Sequence, residues 1–156
     1  MKKLLITAST FPRWGGDTEP RFILDYAKSM TKYFEVHVLA PMAINAREEE
    51  IMEGVIVHRF HYFPIHSFET LCYPGAIVPR IKEKKIRILL VPFLLGAMWF
   101  AAKKQTKEAD IVHSHWIIPQ GIIQSMISDK PYIVTGHGGD VTSLNFPIVK
   151  EMKKYI

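Results

Sequence analysis

Two short stretches of the sequence hold most of the side chains that could do chemistry. The first is DIVHSHWIIPQG, at residues 110–121, and the second is YIVTGHGGDV, at residues 132–141. Each begins as a β-branched run and stops at a cluster of histidine, glycine or aspartate. The spacing of His113 and His115 places both imidazoles on the same side of a strand, because side chains alternate along it. With His137 they could serve as acids, bases or sugar-binding groups, or they could be hydrogen-bonded residues at the rim of a sheet.

Aspartate and tryptophan residues beside these histidines widen the possible chemistry. Asp140 could cap the next helical turn or accept a hydrogen bond from a substrate hydroxyl, and Trp116 could stack on a sugar ring or pack in the core. The histidines of both stretches and Asp140 could together form a metal site with three nitrogens and one oxygen. The HxH pair resembles that of metal hydrolases, but those enzymes carry it early in a barrel that this chain is too short to form. A Ser-His-Asp hydrolase is not indicated, because no GxSxG elbow is present. We therefore expect no metal.

A glycine pair occupies the predicted turn between the first strand and the first helix. The stretch is WGGDTEP, in which Gly15 and Gly16 precede a helical pattern. Glycines let backbone N–H groups approach an anion, and a helix N-terminus adds partial positive charge, so the turn suits a phosphate. The GxGxxG and GxxxxGK(S/T) fingerprints are both absent. A phosphate-binding loop and a plain tight turn therefore both stay open.

The composition is that of one folded domain. The chain has 156 residues, of which 48% are hydrophobic and 22% are charged, values ordinary for a soluble globular protein. Its one cysteine, Cys72, cannot form an internal disulfide, so a reducing compartment is expected. The apolar run that precedes Thr7 is too short for a signal peptide. These features together predict a cytoplasmic location.

Positive charge is concentrated in one stretch. The net charge is +5, and RIKEKKIR, which runs from Arg80 to Arg87, contains five basic residues and one acidic residue. This stretch could be a solvated helix face, or it could contact anionic lipid headgroups at the inner face of a membrane or phosphate-bearing ligands. The uncharged run that follows, at residues 88–102, is shorter than the roughly 20 residues of a membrane span and predicts a core helix. Nucleic acid is not an expected partner, because no aromatic-interleaved basic motif or recognition helix is visible.

Apolar runs and helical patterns alternate along the chain. Five runs predict strands, at residues 3–9, 34–41, 54–64, 109–115 and 130–137. Amphipathic patterns predict helices at residues 18–30, 82–107, 119–128 and from 146 onward. Asp17 or Thr18 is expected to cap the first helix, Pro92 is expected to kink the second, and the polar stretch NAREEE is expected to be a loop. Strands separated by helices indicate an α/β fold, a Rossmann-like three-layer sandwich with a mostly parallel sheet.

This topology gathers the chemistry-bearing residues along one edge of the sheet. In open α/β sheets, ligands bind at the carboxyl ends of the strands. The turns expected there lie at residues 10–17, after Pro41, at 113–121 and at 136–140. They contain the glycine pair and the histidines, so the sequence predicts a ligand site along this edge.

Three stretches in this order and at these spacings carry a resemblance to a known family. FPRWGGD…RFILDYAKSM, DIVHSHWIIPQG and YIVTGHGGDV resemble the N-terminal domain of family-4 retaining glycosyltransferases of the GT-B fold. The resemblance covers essentially the whole chain and rests on the ordered trio rather than on any single motif. It implies a hexosyltransferase-class enzyme with two Rossmann-like domains, in which the N-terminal half mostly holds the acceptor and the C-terminal half mostly holds a nucleotide-sugar donor. It implies no cofactor beyond that donor substrate.

The resemblance also implies roles on the donor side of the cleft. Gly15 and Gly16 match the family's glycine loop, which reaches the donor phosphates when the domains close. His137 matches the family's HG(S/G)D histidine, which lies near the transferred sugar, and Asp140 matches the acid of that motif. Both are therefore expected to be catalytic residues.

Acceptor binding is implied for a second group of residues. His113, His115 and Trp116 match strand-end positions on the acceptor side. Arg21, at the start of the first helix, could bind a charged acceptor or could be an ordinary surface arginine.

The sequence also departs from the family pattern. In the family, two glutamates spaced E-x7-E in the second domain bind the donor, and no glutamate pair in this chain has that spacing. The final residues have the pattern of a helix that stops midway. We therefore expect residues 1–156 to form a single acceptor-side domain, truncated at its C-terminus and inactive without a donor-binding domain. Its expected ligands are a nucleotide-sugar and a glycan, lipid-linked or small-molecule acceptor; the alternatives are an inactive nucleotide- or sugar-binding module and, less favoured, a metal-dependent hydrolase.

Overall fold

The computed structural model describes residues 1–127 and 130–142, and a six-stranded sheet forms its centre. The strands are β1 (Lys2–Thr7), β2 (Phe34–Pro41), β3 (Glu49–Met52), β4 (Val55–Phe60), β5 (Ile111–His115) and β6 (Tyr132–Thr135). Their order across the sheet is β3-β4-β2-β1-β5-β6. All neighbouring pairs are parallel except β3 and β4, which form an antiparallel hairpin.

Helices connect the strands and cover the sheet. They are α1 (Phe22–Met30), α2 (Ile77–Glu83), α3 (Val91–Glu108), α4 (Ile122–Ile127) and the single turn α5 (Gly139–Thr142). Two 3₁₀ segments lie at His66–Phe68 and Lys85–Leu90, and a wide turn at Ile117–Gly121 joins β5 to α4.

The central strands of the sheet are buried on both faces, which makes the fold a three-layer α/β sandwich. Along β1, Leu4 and Ile6 pack in a cluster with α1, whereas Leu5 packs in a second cluster with α3. The alternation of side chains along the strand thus supplies both cores. The prediction of an α/β Rossmann-like fold with a mostly parallel sheet is confirmed.

The long helix predicted at residues 82–107 is divided differently in the structure. α2 ends at Glu83, a 3₁₀ segment occupies Lys85–Leu90, and α3 begins only at Val91. Pro92 therefore lies in the first turn of α3, where the missing N–H breaks no hydrogen bond. The prediction of a kink at Pro92 was wrong, because this proline starts a helix instead of interrupting one.

Two other local predictions were wrong. The stretch predicted as a polar loop contributes to β3, an edge strand in which Glu49 is exposed and Glu50 pairs with the buried Arg59. The turn to β4 uses the positive φ of Glu53 and Gly54. Helix α1 has Arg21 at its N-cap and no side-chain cap, so neither Asp17 nor Thr18 caps it. Asp17 is used inside the preceding loop instead.

The helix predicted from residue 146 onward lies outside the described residues. The expectation of a single truncated domain therefore stays a prediction.

Candidate functional site

Three imidazoles stack in a row at the carboxyl ends of β5 and β6. The rings of His113 and His115 lie 4.4 Å apart between centroids, as their spacing on β5 predicts. β5 and β6 run in register with His115 opposite Thr135, so the chain beyond β6 brings His137 back over the row. The ring of His137 is nearly parallel to that of His115, at 5.1 Å and 12°, and a hydrogen bond of 2.9 Å joins His115 Nδ1 to His137 Nε2.

His113 anchors the row to its neighbours. Its Nδ1 is 2.9 Å from the Tyr26 hydroxyl and its Nε2 is 2.8 Å from the Thr135 hydroxyl. Burial lowers the pKa of His113, and the nearby His137 lowers it further. A neutral imidazole with both nitrogens bonded to hydroxyls holds α1 and β6 against β5. Its predicted contact with an acceptor stays a prediction.

His115 is the buried centre of the row. Burial lowers its pKa to about 3, and the adjacent His113 and His137 add to the effect, so the ring is neutral at physiological pH. Its Nε2 has no hydrogen-bond partner within the part of the chain that the structure describes. Because a neutral imidazole has one N–H and one lone pair, the bond to His137 couples the tautomers of the two rings.

His137 is the exposed end of the row. Its side chain is half-buried, with the rings of Phe22 and Trp116 at 5.0 and 4.9 Å. Its Nε2 is bonded to His115, whereas its Nδ1 has no hydrogen-bond partner among residues 1–127 and 130–142. Exposed glycines flank it on both sides, and Gly138 has φ +71°. The flanking glycines carry no side chains, so they leave room for a ligand to approach this ring.

Asp140 joins the loops that follow β5 and β6. One carboxylate oxygen accepts the N–H of Ile117 at 2.6 Å and the other accepts the N–H of His137 at 2.8 Å. The residue is buried, with 4% of its surface exposed. This geometry makes Asp140 a positioning residue for His137, and direct contact with a substrate hydroxyl stays a prediction.

Trp116 turns the chain away from β5. Its φ is +71°, in the left-handed region that non-glycine residues rarely adopt, and its N–H donates to the Thr135 carbonyl at 2.8 Å. Its half-buried ring packs edge-on against Phe22 at 6.1 Å. The buried amide of Gln120 supports this turn: in the amide orientation that satisfies both of its polar atoms, it donates to the His115 carbonyl at 3.3 Å and accepts the Ser9 N–H at 2.6 Å.

The glycine pair forms an open part of the loop between β1 and α1. Gly15 and Gly16 are exposed, and a Cβ added to either would meet no atom within 4 Å. Gly16 has φ +85°, so a side chain there would strain the backbone. The loop thus has room for a ligand at the backbone of both residues.

A cluster of polar and aromatic side chains fixes this loop. The Arg13 guanidinium lies between the rings of Trp14 and Tyr73, 3.9 and 3.8 Å from their centroids. The Asp17 carboxylate accepts hydrogen bonds from the Arg13 N–H and the Thr18 N–H, each at 2.8 Å, and from the Tyr73 hydroxyl at 2.9 Å. Burial alone would raise the pKa of Asp17, but these hydrogen bonds outweigh burial and lower it to about 2. Asp17 therefore carries a fixed negative charge that holds the loop in one conformation.

Arg21 is directed away from the histidine row. Its guanidinium forms ion pairs with Glu53, in the β3–β4 turn, and with Asp25 at 3.2 Å. The hydrogen bond that Arg21 donates to Glu53 and the charges of both acids raise the pKa of Arg21. A role of Arg21 in acceptor binding stays a prediction, since both of its observed partners are surface carboxylates.

Sequence reasoning missed the aromatic residues of α1. Phe22 and Tyr26 looked like part of one apolar stripe together with core residues of the helix. In the structure Phe22 contacts the rings of Trp116 and His137, and Tyr26 contacts those of His113 and His115. A tyrosine within an apolar stripe was the available signal, because a buried hydroxyl needs a hydrogen-bond partner.

The structure brings the histidine row and Trp116 into one cluster and places the glycine loop at the same edge of the sheet. Phe22, six residues after Gly16, touches the exposed end of the row. Within the described ranges, no group of three or more His, Cys, Asp or Glu side chains has an arrangement that could hold a metal ion.

Two of the similarities to known proteins bear on the fold and the function. Over 105 residues the chain is 26% identical to an uncharacterized glycosyltransferase of Methanocaldococcus jannaschii, a match that takes in 65% of this chain and 30% of the relative. A sucrose-phosphate synthase structure from Thermosynechococcus elongatus matches 97% of this chain and 70% of its own, with a TM-score of 0.51 and 12% sequence identity. No protein-family model matches the chain.

One of these similarities supports the fold and the other supports the function. The structural match shows the fold, an α/β Rossmann-like domain. The match to the archaeal relative spans less than a third of that protein. Together with the motifs, the two similarities support a glycosyltransferase domain and are consistent with a GT-B enzyme.

Proposed function

We propose that this chain is the acceptor-side domain of a retaining GT-B glycosyltransferase of family 4. Paired with a donor-binding domain, on the same polypeptide or on a separate chain, it would transfer a sugar from a nucleotide-sugar to a glycan, lipid-linked or small-molecule acceptor. The proposed location is the cytoplasm, where nucleotide-sugars are available to such an enzyme. The chain alone is proposed to be inactive, because most of the donor site would lie in the other domain.

One observation carries the proposal. An open, fixed glycine loop and a half-buried histidine, whose Nδ1 has no partner among the described residues, lie at the same carboxyl edge of the sheet, where α/β folds bind ligands. The backbone of Gly15 and Gly16 can approach the donor phosphates, and His137 can contact the transferred sugar. Trp116 and Phe22 add aromatic surface beside that histidine, which suits the apolar face of a sugar ring.

The chemistry assigned to these residues is binding and charge stabilisation. A transfer that retains configuration builds negative charge on the departing phosphate, and preorganised N–H groups stabilise such charge. The rigid loop at Arg13 and Asp17 would supply N–H groups without a reorganisation cost. Asp140 would hold the His137 backbone in place through its N–H.

A transfer assay tests the proposal. The chain is combined with a donor-binding domain, and transfer from UDP-glucose, GDP-mannose and related donors to glycan and lipid-linked acceptors is measured with labelled sugar. Replacing His137 by Ala should reduce turnover by about 100-fold or more, because it removes a group aligned with the reacting sugar. Circular dichroism checks that the variant is folded.

His58→Ala is the matched control. His58 lies on β4, three strands away from β5, where it bonds to His37 and Glu49, and its loss should leave turnover near normal. Near-normal turnover in His137→Ala would remove His137 from the mechanism. Donor binding without any turnover by the wild-type pair would favour an inactive binding module instead.

A further inference from the structure

An exposed apolar surface precedes helix α3. Four large side chains of the 3₁₀ segment Lys85–Leu90 and the first turn of α3 are half or more exposed: Ile86 68%, Ile88 57%, Leu89 60% and Phe93 50%. The stretch Lys85–Glu108 contains an 18-residue window with a mean hydropathy of 1.7, enough by length and composition to cross a membrane, yet only 22% of that window is buried. Contiguous exposed apolar surface of this kind marks an interaction site.

This stretch is nevertheless a covering helix of the sheet. Leu94, Met98, Ala102 and Thr106 recur every four residues and are buried, the first three against the sheet in one core cluster. α3 thus forms one layer of the sandwich and is not free to leave it. The apolar side chains that this stretch exposes are therefore available to a partner that binds at the surface of the domain.

The 3₁₀ geometry separates inward from outward side chains. With three residues per turn, residues three apart share a face. Arg87 is buried and Leu90 is half-buried, so that face turns inward. The two remaining faces carry Ile86 with Leu89 and Lys85 with Ile88, and all four are exposed.

The positive charge available beside this surface comes from lysines. Arg80 and Arg87 both bond to Glu83, and Arg87 also donates to the Arg80 carbonyl at 2.8 Å. These two arginines therefore hold α2 against the 3₁₀ segment and do not form the surface that the basic stretch suggested. Lys82, Lys84 and Lys85 are exposed, and their ammonium groups form no ion pair with other residues of the described ranges.

We propose that the Lys82–Phe93 surface, made of Lys82, Lys84, Lys85, Ile86, Ile88, Leu89 and Phe93, docks on a bilayer with anionic headgroups. Isoleucine, leucine and phenylalanine side chains enter the boundary between headgroups and acyl chains, and the three lysines bind lipid phosphates. Charge complementarity selects this partner, because the exposed apolar side chains follow directly in the chain on three exposed lysines that form no ion pair with the described residues.

Docking would turn the candidate site toward the membrane. α3 runs back from the carboxyl edge of the sheet to the start of β5, so its first turn lies at the edge that carries the histidine row. If the proposed transferase function holds, on which this consequence rests, the acceptor would be presented from the lipid surface. The docking itself does not depend on transferase activity.

Vesicle co-sedimentation of the full chain tests the proposal. Vesicles of equal parts phosphatidylglycerol and phosphatidylcholine are compared with vesicles of phosphatidylcholine alone, at low and high salt. The chain should pellet with the anionic vesicles and not with the neutral ones, and raising the salt should release it because the lysine contacts are screened. Changing Lys82, Lys84 and Lys85 together to Gln should weaken binding by about 100-fold, since each lysine contributes about fivefold near such a surface.

Matched controls separate this surface from general effects. Lys32, Lys104 and Lys107, exposed elsewhere, changed together to Gln remove the same charge and should leave binding unchanged. Ile86→Ser with Leu89→Ser should abolish stable binding to anionic vesicles, whereas Ile44→Ser with Ile51→Ser, which are 65% and 74% exposed, should not.

Two results would overturn the proposal. One is binding that is absent, or equal for the surface variants and their controls. The other is a change of oligomeric state in the Ile86/Leu89 variant with unchanged vesicle binding, which would assign the surface to a protein partner. A failed transfer assay with normal vesicle binding would refute the proposed function and leave the docking intact.

Discussion

The three histidines of the site look alike in the sequence and differ in the structure. Sequence spacing correctly places His113 and His115 on one side of β5. It could not show that His113 is bonded to two hydroxyls or that His137 stacks on His115, because both features depend on the register of β5 with β6 and on the packing of α1. The residue whose Nδ1 has no partner among the described residues is His137, the one that follows a glycine.

The role of Asp140 likewise could not be decided from the sequence alone. The sequence left open a helix cap or a substrate contact, and the carboxylate accepts two backbone N–H groups from different loops. An Asn at this position keeps one acceptor oxygen but presents an NH₂ group to the other N–H. We expect Asp140→Asn to lower the free energy of unfolding by about 2 kcal/mol, because a buried N–H loses a charged acceptor. Urea unfolding measures this, with NMR of the His137 ring as a readout of its position.

Asp25→Asn serves as the control for that variant. Asp25 is exposed and its ion pair with Arg21 is on the surface, so its loss should cost less than about 1 kcal/mol. An Asp140→Asn variant as stable as wild type, with unchanged His137 signals, would show that the carboxylate does not position the loop.

At the scale of elements, the glycine pair predicts an open loop between β1 and α1. The sequence does not show which side chains fix the conformation of that loop. The pair Gly15–Gly16 indicates backbone freedom, whereas the conformation is set by Arg13, Asp17 and Tyr73. Tyr73 lies 56 residues from Asp17 in the chain, and no local pattern connects them. Long-range side-chain contacts of this kind are the part of the site that a single sequence does not predict.

This loop gives a prediction that depends on pH. The pKa of Asp17 falls from an ordinary 3.8 to about 2 on folding, so the folded chain favours the carboxylate. The resulting stabilisation is fully present above pH 3.8 and is lost as the pH falls toward 2. Asp17→Asn should therefore lower the free energy of unfolding by about 2 kcal/mol at pH 7.

Denaturant unfolding of wild type and Asp17→Asn across the acid range checks this prediction. The difference between the two proteins should shrink as the pH is lowered through 3.8 toward 2. A difference that is absent at pH 7, or one that stays constant with pH, would contradict the assigned hydrogen bonds.

At the scale of the whole molecule, the alternation of apolar runs and amphipathic patterns correctly predicts the layered α/β architecture. The strand that the sequence did not predict, β3, lies at the edge of the sheet and contains two glutamates. Edge strands carry charged side chains, so they lack the apolar pattern by which a strand is recognised. The location of the site follows from the fold, since parallel strands present all their carboxyl ends at one edge. The fold does not predict the exposed apolar surface before α3, because a run of apolar residues does not show which of its side chains are buried.

The proposed function requires that the glycine loop and His137 bind one and the same ligand. The most direct measurement is an NMR titration of the isotope-labelled chain with UDP-glucose or GDP-mannose, in the presence of an unlabelled donor-binding domain. The account predicts that the amide signals of Gly15 and Gly16 and the ring signals of His137 shift along one saturation curve, while those of His58 do not move. Signals of the glycines that respond without those of His137, or with a different affinity, would contradict it.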